Sequence, residues 1–176
     1  MGAWLAGSLF MDTTAIVNFH AVERFLADPG IPAAQVIHNV GHENVRVLLR
    51  RAAGEANGWL FEQWEWIQLV TALALLLVLI FGNRPPKIPI GLCVLMMILV
   101  LVERFALTPN IIRLGRIIDF LPAGPQMPDR VSFGSFHGAY SVVEIVKLVA
   151  GFAIAGILIV RKQPDPQMFA REAEGR

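Results

Sequence analysis

Four stretches of the sequence are rich in apolar side chains and long enough to cross a membrane, and they constrain the fold more than any other feature. They cover residues 4–25, 59–81, 88–107 and 136–160. A bilayer core needs about 20 residues of helix. Hydrophobic residues make up 55% of the 176-residue chain and charged residues only 16%, whereas soluble domains usually carry roughly 25% charged residues. We therefore predict an all-α integral membrane protein, with one membrane domain over 1–162 and a polar tail over 163–176.

The connections between the stretches differ in kind. Pro85 and Pro86 cannot continue a helix, so the second and third stretches should be antiparallel neighbours. In the first connection (27–58), apolar residues recur near helical spacing among arginines, which predicts an amphipathic helix that lies on the membrane or runs into the second span. The same pattern over 111–121 predicts a short interfacial helix. We expect a four-helix bundle with amphipathic interfacial helices in the first and third connections.

The charges at the ends of the stretches bear on orientation. The first stretch lacks the basic start of a signal peptide, so we expect it to be retained as a helix. Arg84 and Lys87 lie in the compact turn after the second stretch, and Arg161 and Lys162 follow the fourth. Basic residues close to helix ends favour the cytoplasmic side, which predicts that both termini are cytoplasmic.

Most polar residues within the stretches map to one side of the predicted membrane. Because adjacent spans are antiparallel, the ends of the first and third helices meet the beginnings of the second and fourth. The candidate site on this side comprises Asn18, His20, Glu23, Arg24, Glu103, Arg104, His137, Tyr140, Ser141, Glu144 and Lys147. The opposite halves of the last three helices are almost purely aliphatic, and a pore needs a polar lining from end to end. We therefore predict a polar vestibule, a recess open on one side, rather than a channel.

The same residues allow a second interpretation, in which they form a charge network that only stabilises the bundle. Lys147 is close enough to the predicted membrane surface to snorkel back to it. Glu144 and Lys147 are spaced to pair on one helix. Glu103 and Arg104 are adjacent and cannot face each other, but each can pair across the bundle. Because an unpaired charge in lipid is costly, a structural network and a ligand or proton site both remain open.

Small residues on the fourth stretch predict close helix packing. Gly134 and Gly138 form a GxxxG motif, and Gly151 follows further along the same stretch. Such residues let two helices approach closely. We expect packing within the chain rather than a dimer seam.

Familiar catalytic and cofactor motifs are absent from the sequence. It has no Ser/His/Asp order, phosphate loop, dinucleotide fingerprint or HExxH zinc motif, so we predict a protein without enzymatic activity. Cys93 is the single cysteine, which leaves no disulfide framework. The formal charge of +1 gives no case for nucleic-acid binding. His20 and His137 could face each other as haem ligands, but nothing else supports that site and we predict no bound cofactor.

Short segments of the sequence resemble those of a known family. Residues 3–11 (AWLAGSLFM) look like its first-helix signature, and residues 133–141 (FGSFHGAYS) look like the motif that opens its last span, with Phe136 where Leu is commoner. Asn18-Phe19 and Glu103-Arg104 are also similar. The chain thus resembles small four-span bacterial membrane proteins of unknown function, related to the eukaryotic transmembrane protein 205. The resemblance implies a fold and a bacterial inner membrane, but no specific activity.

Three functions are compatible with these features. The first is a non-enzymatic membrane protein whose vestibule binds a small polar ligand, an ion or a lipid headgroup. The second is an accessory structural subunit of a larger membrane complex, and the third is a haem or quinone electron carrier. The expected partners are the lipid bilayer and, under the second function, other membrane subunits.

Overall fold

The computed structural model describes residues 1–82, 86–118 and 127–161, and all of its regular structure is helical. Within those ranges there is no strand. The elements in chain order are α1 (Gly2–Ala27), α2 (Gly30–Val40), α3 (His42–Phe81), α4 (Lys87–Val102), a π-helical stretch called here the π segment (Glu103–Leu107), α5 (Thr108–Ile118) and α6 (Pro128–Arg161). The predicted tail over 163–176, most of the proline turn and the end of the third connection lie outside the described residues.

Three of the helices are long and apolar enough to cross a membrane, judged by length and composition. They are His42–Phe81, the continuous helix Lys87–Ile118, and Pro128–Val160. The first predicted span, which corresponds to α1, is not among them. α1 has the required length, with 26 residues, but Asp12, Glu23 and Arg24 lower its apolar character.

The first predicted interfacial helix is continuous with the second span. α3 begins at His42, well before the apolar stretch at residue 59, and runs for 40 residues without interruption. Of the two predicted arrangements, the structure has the one in which the amphipathic helix runs into the span. Gly41 separates α2 from α3 with a φ of 93°, a conformation that glycine adopts without the steric penalty of a Cβ.

The helix predicted in the third connection is present as α5, but it is continuous with the third span. α4 continues through the π segment into α5, and the backbone N–H of Thr108 donates to the carbonyl of Glu103. The widened turn comes directly before Pro109, which lacks an N–H and whose ring would clash with a carbonyl four residues earlier in a regular α-helix. A π turn at this point lets the helix pass the proline without a break.

The apolar core is formed by α1, α3, α4 and α6. Its buried members are Trp4, Ala72, Leu79, Cys93, Met96, Val100, Ala150 and Ile154. α5 packs on α3 and α6, so it covers one end of this core. α6 begins at Pro128, earlier than predicted, and its first turns reach alongside α5.

The glycines of α6 differ in how closely other parts of the protein pack against them. A Cβ at Gly151 would lie 3.0 Å from Leu5 of α1, so this glycine permits the packing that the sequence predicted. A Cβ at Gly134 or Gly138 would meet nothing within 4 Å. The prediction that the GxxxG motif packs within the chain is therefore wrong for the residues that the structure describes.

Candidate functional site

Lys147 of α6 is the centre of a polar group inside the apolar core. Its ammonium donates to Oε1 of Gln68 at 2.9 Å, to Oε1 of Glu144 at 2.9 Å, and to Oε2 of Glu103. The side chains of Lys147 and Glu103 are fully enclosed. An ammonium has three N–H donors, so each of them has one acceptor. Lys147 does not snorkel to the surface, because its acceptors lie in the interior.

Each acceptor of Lys147 comes from a defined place in the fold. Gln68 lies on α3, and its side-chain amide also donates to Oγ of Ser8 at 3.3 Å, which joins α1 to the group. Glu103 is the first residue of the π segment. Glu144 lies one helical turn before Lys147 on α6, at the predicted pairing distance along the helix. Four chain segments therefore meet around one ammonium, and we call these residues the lysine cluster.

A second polar group adjoins the lysine cluster. Glu65 of α3 is fully buried and accepts a hydrogen bond from the hydroxyl of Thr108, the first residue of α5. Nη1 of Arg104 lies 3.1 Å from Oε1 of Glu62 and 3.9 Å from Oε2 of Glu65. The Arg104 guanidinium also lies over the ring of Trp66, 5.5 Å from its centroid. Glu103 and Arg104 therefore each pair across the fold, as the sequence predicted.

Buried carboxyl groups outnumber buried cations at this site. Glu65, Glu103 and Glu144 are enclosed, whereas Lys147 is the one fully enclosed cation among the described residues. Arg104 is partly exposed and is shared with Glu62. One oxygen of each enclosed carboxyl group has no hydrogen-bond partner within the described ranges, namely Glu65 Oε2, Glu103 Oε1 and Glu144 Oε2. Burying an uncompensated charge is costly, so this imbalance requires a chemical explanation.

A cavity of about 390 Å³ lies between α1, α3, α5 and α6. Its walls are mostly apolar and include Phe19, Phe61, Ile112 and Phe133, while Arg50, Arg51 and Glu55 contribute polar groups from α3. The volume falls within the range of roughly 300–1,000 Å³ typical of small-ligand sites. Of the residues predicted for a polar vestibule, His137 and Tyr140 line this cavity, whose walls are largely apolar.

Two residues connect the cavity to the buried polar groups. Tyr140 and Thr108 both line the cavity. The Tyr140 hydroxyl donates to Oε1 of Glu144 at 3.3 Å, and the Thr108 hydroxyl donates to Glu65. A molecule in the cavity would therefore be one side chain away from two enclosed carboxyl groups.

No protein-family model, curated protein or solved structure matches this chain. The family resemblance drawn from the short motifs stays a prediction, and the site is interpreted from its own geometry.

The structure brings together about half of the predicted site residues. Glu103, Arg104, Tyr140, Glu144 and Lys147 form the buried groups described above. His137 lines the cavity and stacks on Phe133, with ring centroids 5.7 Å apart.

Other predicted residues lie elsewhere. Asn18 donates to Oδ1 of Asn57 at 2.6 Å, and Glu23 accepts from Arg46 and Arg50 of α3. These contacts join α1 to α3 near the outer end of the cavity. His20, Arg24 and Ser141 are exposed, and the Ser141 hydroxyl bonds to the carbonyl of His137 on its own helix.

Sequence reasoning missed several residues of the site. Gln68, Ser8 and Thr108 supply hydrogen bonds to the buried groups, but each lies in a largely apolar or neutral run. One signal was present, because Glu65 and Gln68 are three residues apart and therefore share a helical face. Among the described residues, no group of three or more His, Cys, Asp and Glu side chains is arranged to hold a metal ion.

Proposed function

We propose that this chain is a non-enzymatic, four-span protein of a bacterial inner membrane whose one-sided cavity binds a small amphiphile with an acidic head group, such as a lipid or fatty acid. The observation that carries the proposal is the cavity itself, with apolar walls and with two arginines, hydroxyl groups and the single carboxylate of Glu55 at polar positions among the residues that line it. Of the ligands expected from the sequence, a lipid suits mainly apolar walls better than an ion or a fully polar molecule.

The distribution of apolar and charged side chains supports placement in a membrane. Val78 is 70% exposed and Phe81 is 83% exposed, whereas Glu103 and Lys147 are completely enclosed. Water-soluble proteins rarely expose large contiguous apolar surfaces. Ionisable residues in membrane proteins face the interior and pair with one another, as they do here.

The contacts of α1 support its role as a fourth span. Two of its polar side chains are bonded to α3, because Ser8 bonds to Gln68 and Asn18 bonds to Asn57. Thr13 and Thr14 are bonded to carbonyls of their own helix. A spanning segment must satisfy its polar groups without water, and α1 meets this requirement at these positions.

Both termini are proposed to be cytoplasmic. An even number of spans leaves the two ends on the same side, and a Cβ on Gly151, in the last third of α6, would lie 3.1 Å from Met1. Reporter fusions that fluoresce only in the cytoplasm test this arrangement. Fluorescence from both terminal fusions is expected, and a signal from only one of them would contradict four spans.

The ligand proposal is tested with a variant that fills the cavity. Gly54 lines the cavity, and a Cβ there meets nothing within 4 Å, so Gly54→Phe should occupy the space without a backbone clash. Gly134→Phe is the matched control, because Gly134 is equally open but does not line the cavity. Dodecanoate and dodecanol are added to protein in lipid nanodiscs, and the thermal unfolding temperature is measured.

Dodecanoate should raise the unfolding temperature of the native protein and of Gly134→Phe, but not that of Gly54→Phe. Dodecanol should raise it less, because it lacks the charge that Arg50 and Arg51 attract. Equal shifts for all three proteins, or no shift for any, would disprove binding in this cavity. Equal shifts for the acid and the alcohol would disprove the role of the acidic head.

The exposed glycines of α6 favour a second candidate function, that of an accessory subunit. Gly134 and Gly138 leave open space beside the helix backbone, and such positions are common where membrane helices associate. Purification in a mild detergent followed by native mass spectrometry tests this candidate. A chain that always runs alone would argue against it. The electron-carrier alternative gains no support from His20 and His137, which are both exposed.

A further inference from the structure

The protonation state of Lys147 follows from its hydrogen bonds. Its nitrogen has three acceptors, one each from Gln68, Glu103 and Glu144. Three acceptors match the three N–H donors of an ammonium ion, so we assign Lys147 the ammonium form. This single positive charge lies between two carboxyl groups that are both enclosed.

The charges of the lysine cluster do not balance if both carboxyl groups are ionised. Lys147 and Glu103 have no exposed side-chain surface, and the side chain of Glu144 is 7% exposed. One ammonium against two carboxylates leaves a net charge of −1 with almost no access to solvent. Such a charge is expensive to bury, and an ionisable group in that situation usually becomes neutral instead.

Charged groups on the neighbouring elements do not supply the missing positive charge. Asp12 of α1 is half-buried, and Glu65 of α3 is fully buried, so both would add negative charge. Arg104 of the π segment pairs with Glu62 at 3.1 Å, and its next carboxyl neighbour is Glu65 at 3.9 Å. These neighbouring carboxyl groups therefore make protonation of the lysine cluster more favourable.

The remaining hydrogen-bonding capacity indicates where a proton fits. Glu103 uses Oε2 for Lys147, and Glu144 uses Oε1 for Lys147 and Tyr140. The other oxygen of each group, Glu103 Oε1 and Glu144 Oε2, is buried and has no hydrogen-bond partner among the described residues. A proton on either oxygen neutralises the cluster without disturbing any bond to Lys147.

We propose that Glu103 and Glu144 together bind one exchangeable proton beside the Lys147 ammonium, and that this proton enters and leaves through the cavity. The proton stays on the protein at neutral pH and exchanges without any covalent change. This assignment does not depend on which ligand the cavity binds.

The surroundings give the proton site one-sided access. Tyr140 lines the cavity and bonds to Glu144, so its hydroxyl lies between the cavity and the proton. Further along the fold, Met96, Val100 and Ile154 are enclosed and apolar, and they offer no polar group to a proton. The site therefore communicates with the cavity side and is closed on the other.

Infrared difference spectroscopy of the full chain in nanodiscs tests the proposal directly. A protonated carboxyl group gives a carbonyl band that ionised carboxylates lack. The native protein at neutral pH should show this band, and it should shift in heavy water. Glu103→Gln and Glu144→Gln should each abolish it, because the remaining carboxylate alone balances Lys147. Glu43→Gln is the matched control at a side chain that is 78% exposed, and it should keep the band.

Three outcomes would overturn the proposal. The first is a native protein without the band at neutral pH. The second is a band that survives in both single variants. The third is a band that disappears only in Glu65→Gln, which would place the proton on the neighbouring group.

The access route has its own readout. Tyr140→Phe removes the hydroxyl between the cavity and Glu144 but keeps both carboxyl groups. The carbonyl band should remain, and its exchange in heavy water should slow at least several-fold. An unchanged exchange rate would show that the proton does not pass Tyr140.

Thermal unfolding gives an independent measurement. A proton held in the folded state and lost on unfolding stabilises the protein at low pH, and this stabilisation declines as the pH rises. The native protein should therefore lose unfolding temperature as the pH rises above about 4.3, the ordinary pKa of an unfolded glutamate, until the proton is released in the folded state. Glu103→Gln should lose less over the same range. Parallel curves for the two proteins would contradict a proton bound at this site.

Discussion

The ammonium of Lys147 donates to the carboxylate of Glu103, and both side chains are completely enclosed. The two residues are separated by 44 positions in the sequence and lie on different helices. The outer surface of the helices carries large apolar side chains such as Val78 and Phe81, whereas this ion pair is enclosed. This inversion links the fold to the two proposals made for it.

Replacing Lys147 with Met should strongly destabilise the protein. The substitution keeps a long apolar side chain but leaves Glu103 and Glu144 without their common partner. Breaking a buried ion pair by removing one member costs about 3–5 kcal/mol. Unfolding followed by circular dichroism in detergent measures the change.

Arg113→Met is the control for this substitution, because Arg113 is exposed and bonds to Asn110 near it on the helix. It should change the free energy of unfolding by less than about 0.5 kcal/mol. Replacing Glu103 and Glu144 with Gln in the Lys147→Met background should recover part of the loss. A loss below about 1 kcal/mol for Lys147→Met would contradict a charge-dependent core.

The glycines of α1 and α6 should respond to alanine with opposite signs. The ring of Trp64 occupies the space that a Cβ on Gly7 would need, so Gly7→Ala must push α1 away from α3. Overpacking of this kind costs about 1–3 kcal/mol. At Gly134 a Cβ meets nothing within 4 Å, and alanine should stabilise the helix by about 0.5–1 kcal/mol. Chemical unfolding of both variants measures the signs, and equal effects would contradict the packing of Trp64 on Gly7.

The sequence predicts the helical class and the apolar segments well, but it misplaces two helix boundaries. The segment from His42 contains no proline, so nothing ends the helix before residue 59, although its composition changes there. The opposite error arises at residue 107, where the predicted span ends, although the helix continues past Pro109 to Ile118. The π segment accommodates Pro109 without breaking the helix, and no periodicity in the sequence predicts such a turn.

The sequence predicts only part of the candidate site, and the reason is physical. Glu144 and Lys147 are neighbours on one helix, so their pairing follows from spacing alone. Burial of Lys147 depends on acceptors from Gln68 and Glu103, which only the tertiary packing brings near. The sequence does not indicate that Gln68 is central to the cluster, because a single uncharged amide side chain in an apolar segment is not distinctive. Snorkelling was therefore a reasonable prediction, and it was wrong.

Cys93 should be unreactive until the core opens. It is the single cysteine of the chain, it is 1% exposed, and its thiol donates to the carbonyl of Ala72 at 3.4 Å. A maleimide reagent should label the denatured protein completely and the native protein at least a hundredfold more slowly. Cys93→Ser combined with Ser135→Cys is the control, because Ser135 is exposed and its cysteine should react at once. Rapid labelling of native Cys93 would show that the packing between α3 and α4 is open to the reagent.

The ion pair between Arg116 and Glu55 should contribute little. The guanidinium makes two bonds of 2.9 Å to the carboxylate, but 54% of the Arg116 side chain is exposed. Exposed pairs contribute about 0–1 kcal/mol and weaken with salt. Arg116→Gln should therefore lower the free energy of unfolding by less than about 1 kcal/mol in dilute salt and by less still in 1 M salt. A loss as large as that of Lys147→Met would mean that the pair is shielded from solvent.

The hydroxyl of Thr108 should matter far more than its shape. Valine has nearly the same volume as threonine, so Thr108→Val removes the hydrogen bond to Glu65 and little else. A buried polar group that loses its partner costs about 1–3 kcal/mol. The matched control is Thr13→Val, because the Thr13 hydroxyl is exposed and bonds to a carbonyl of its own helix, at 2.8 Å. Unfolding in detergent should show a clear loss of stability for Thr108→Val and almost none for Thr13→Val.

If Glu65→Gln is added to Thr108→Val, part of the lost stability should be regained, because burying a neutral amide costs less free energy than burying an unpaired carboxylate. Equal losses for the two threonine variants would mean that the Glu65 carboxyl group does not depend on Thr108, and the connection between the cavity and that group would have to be abandoned.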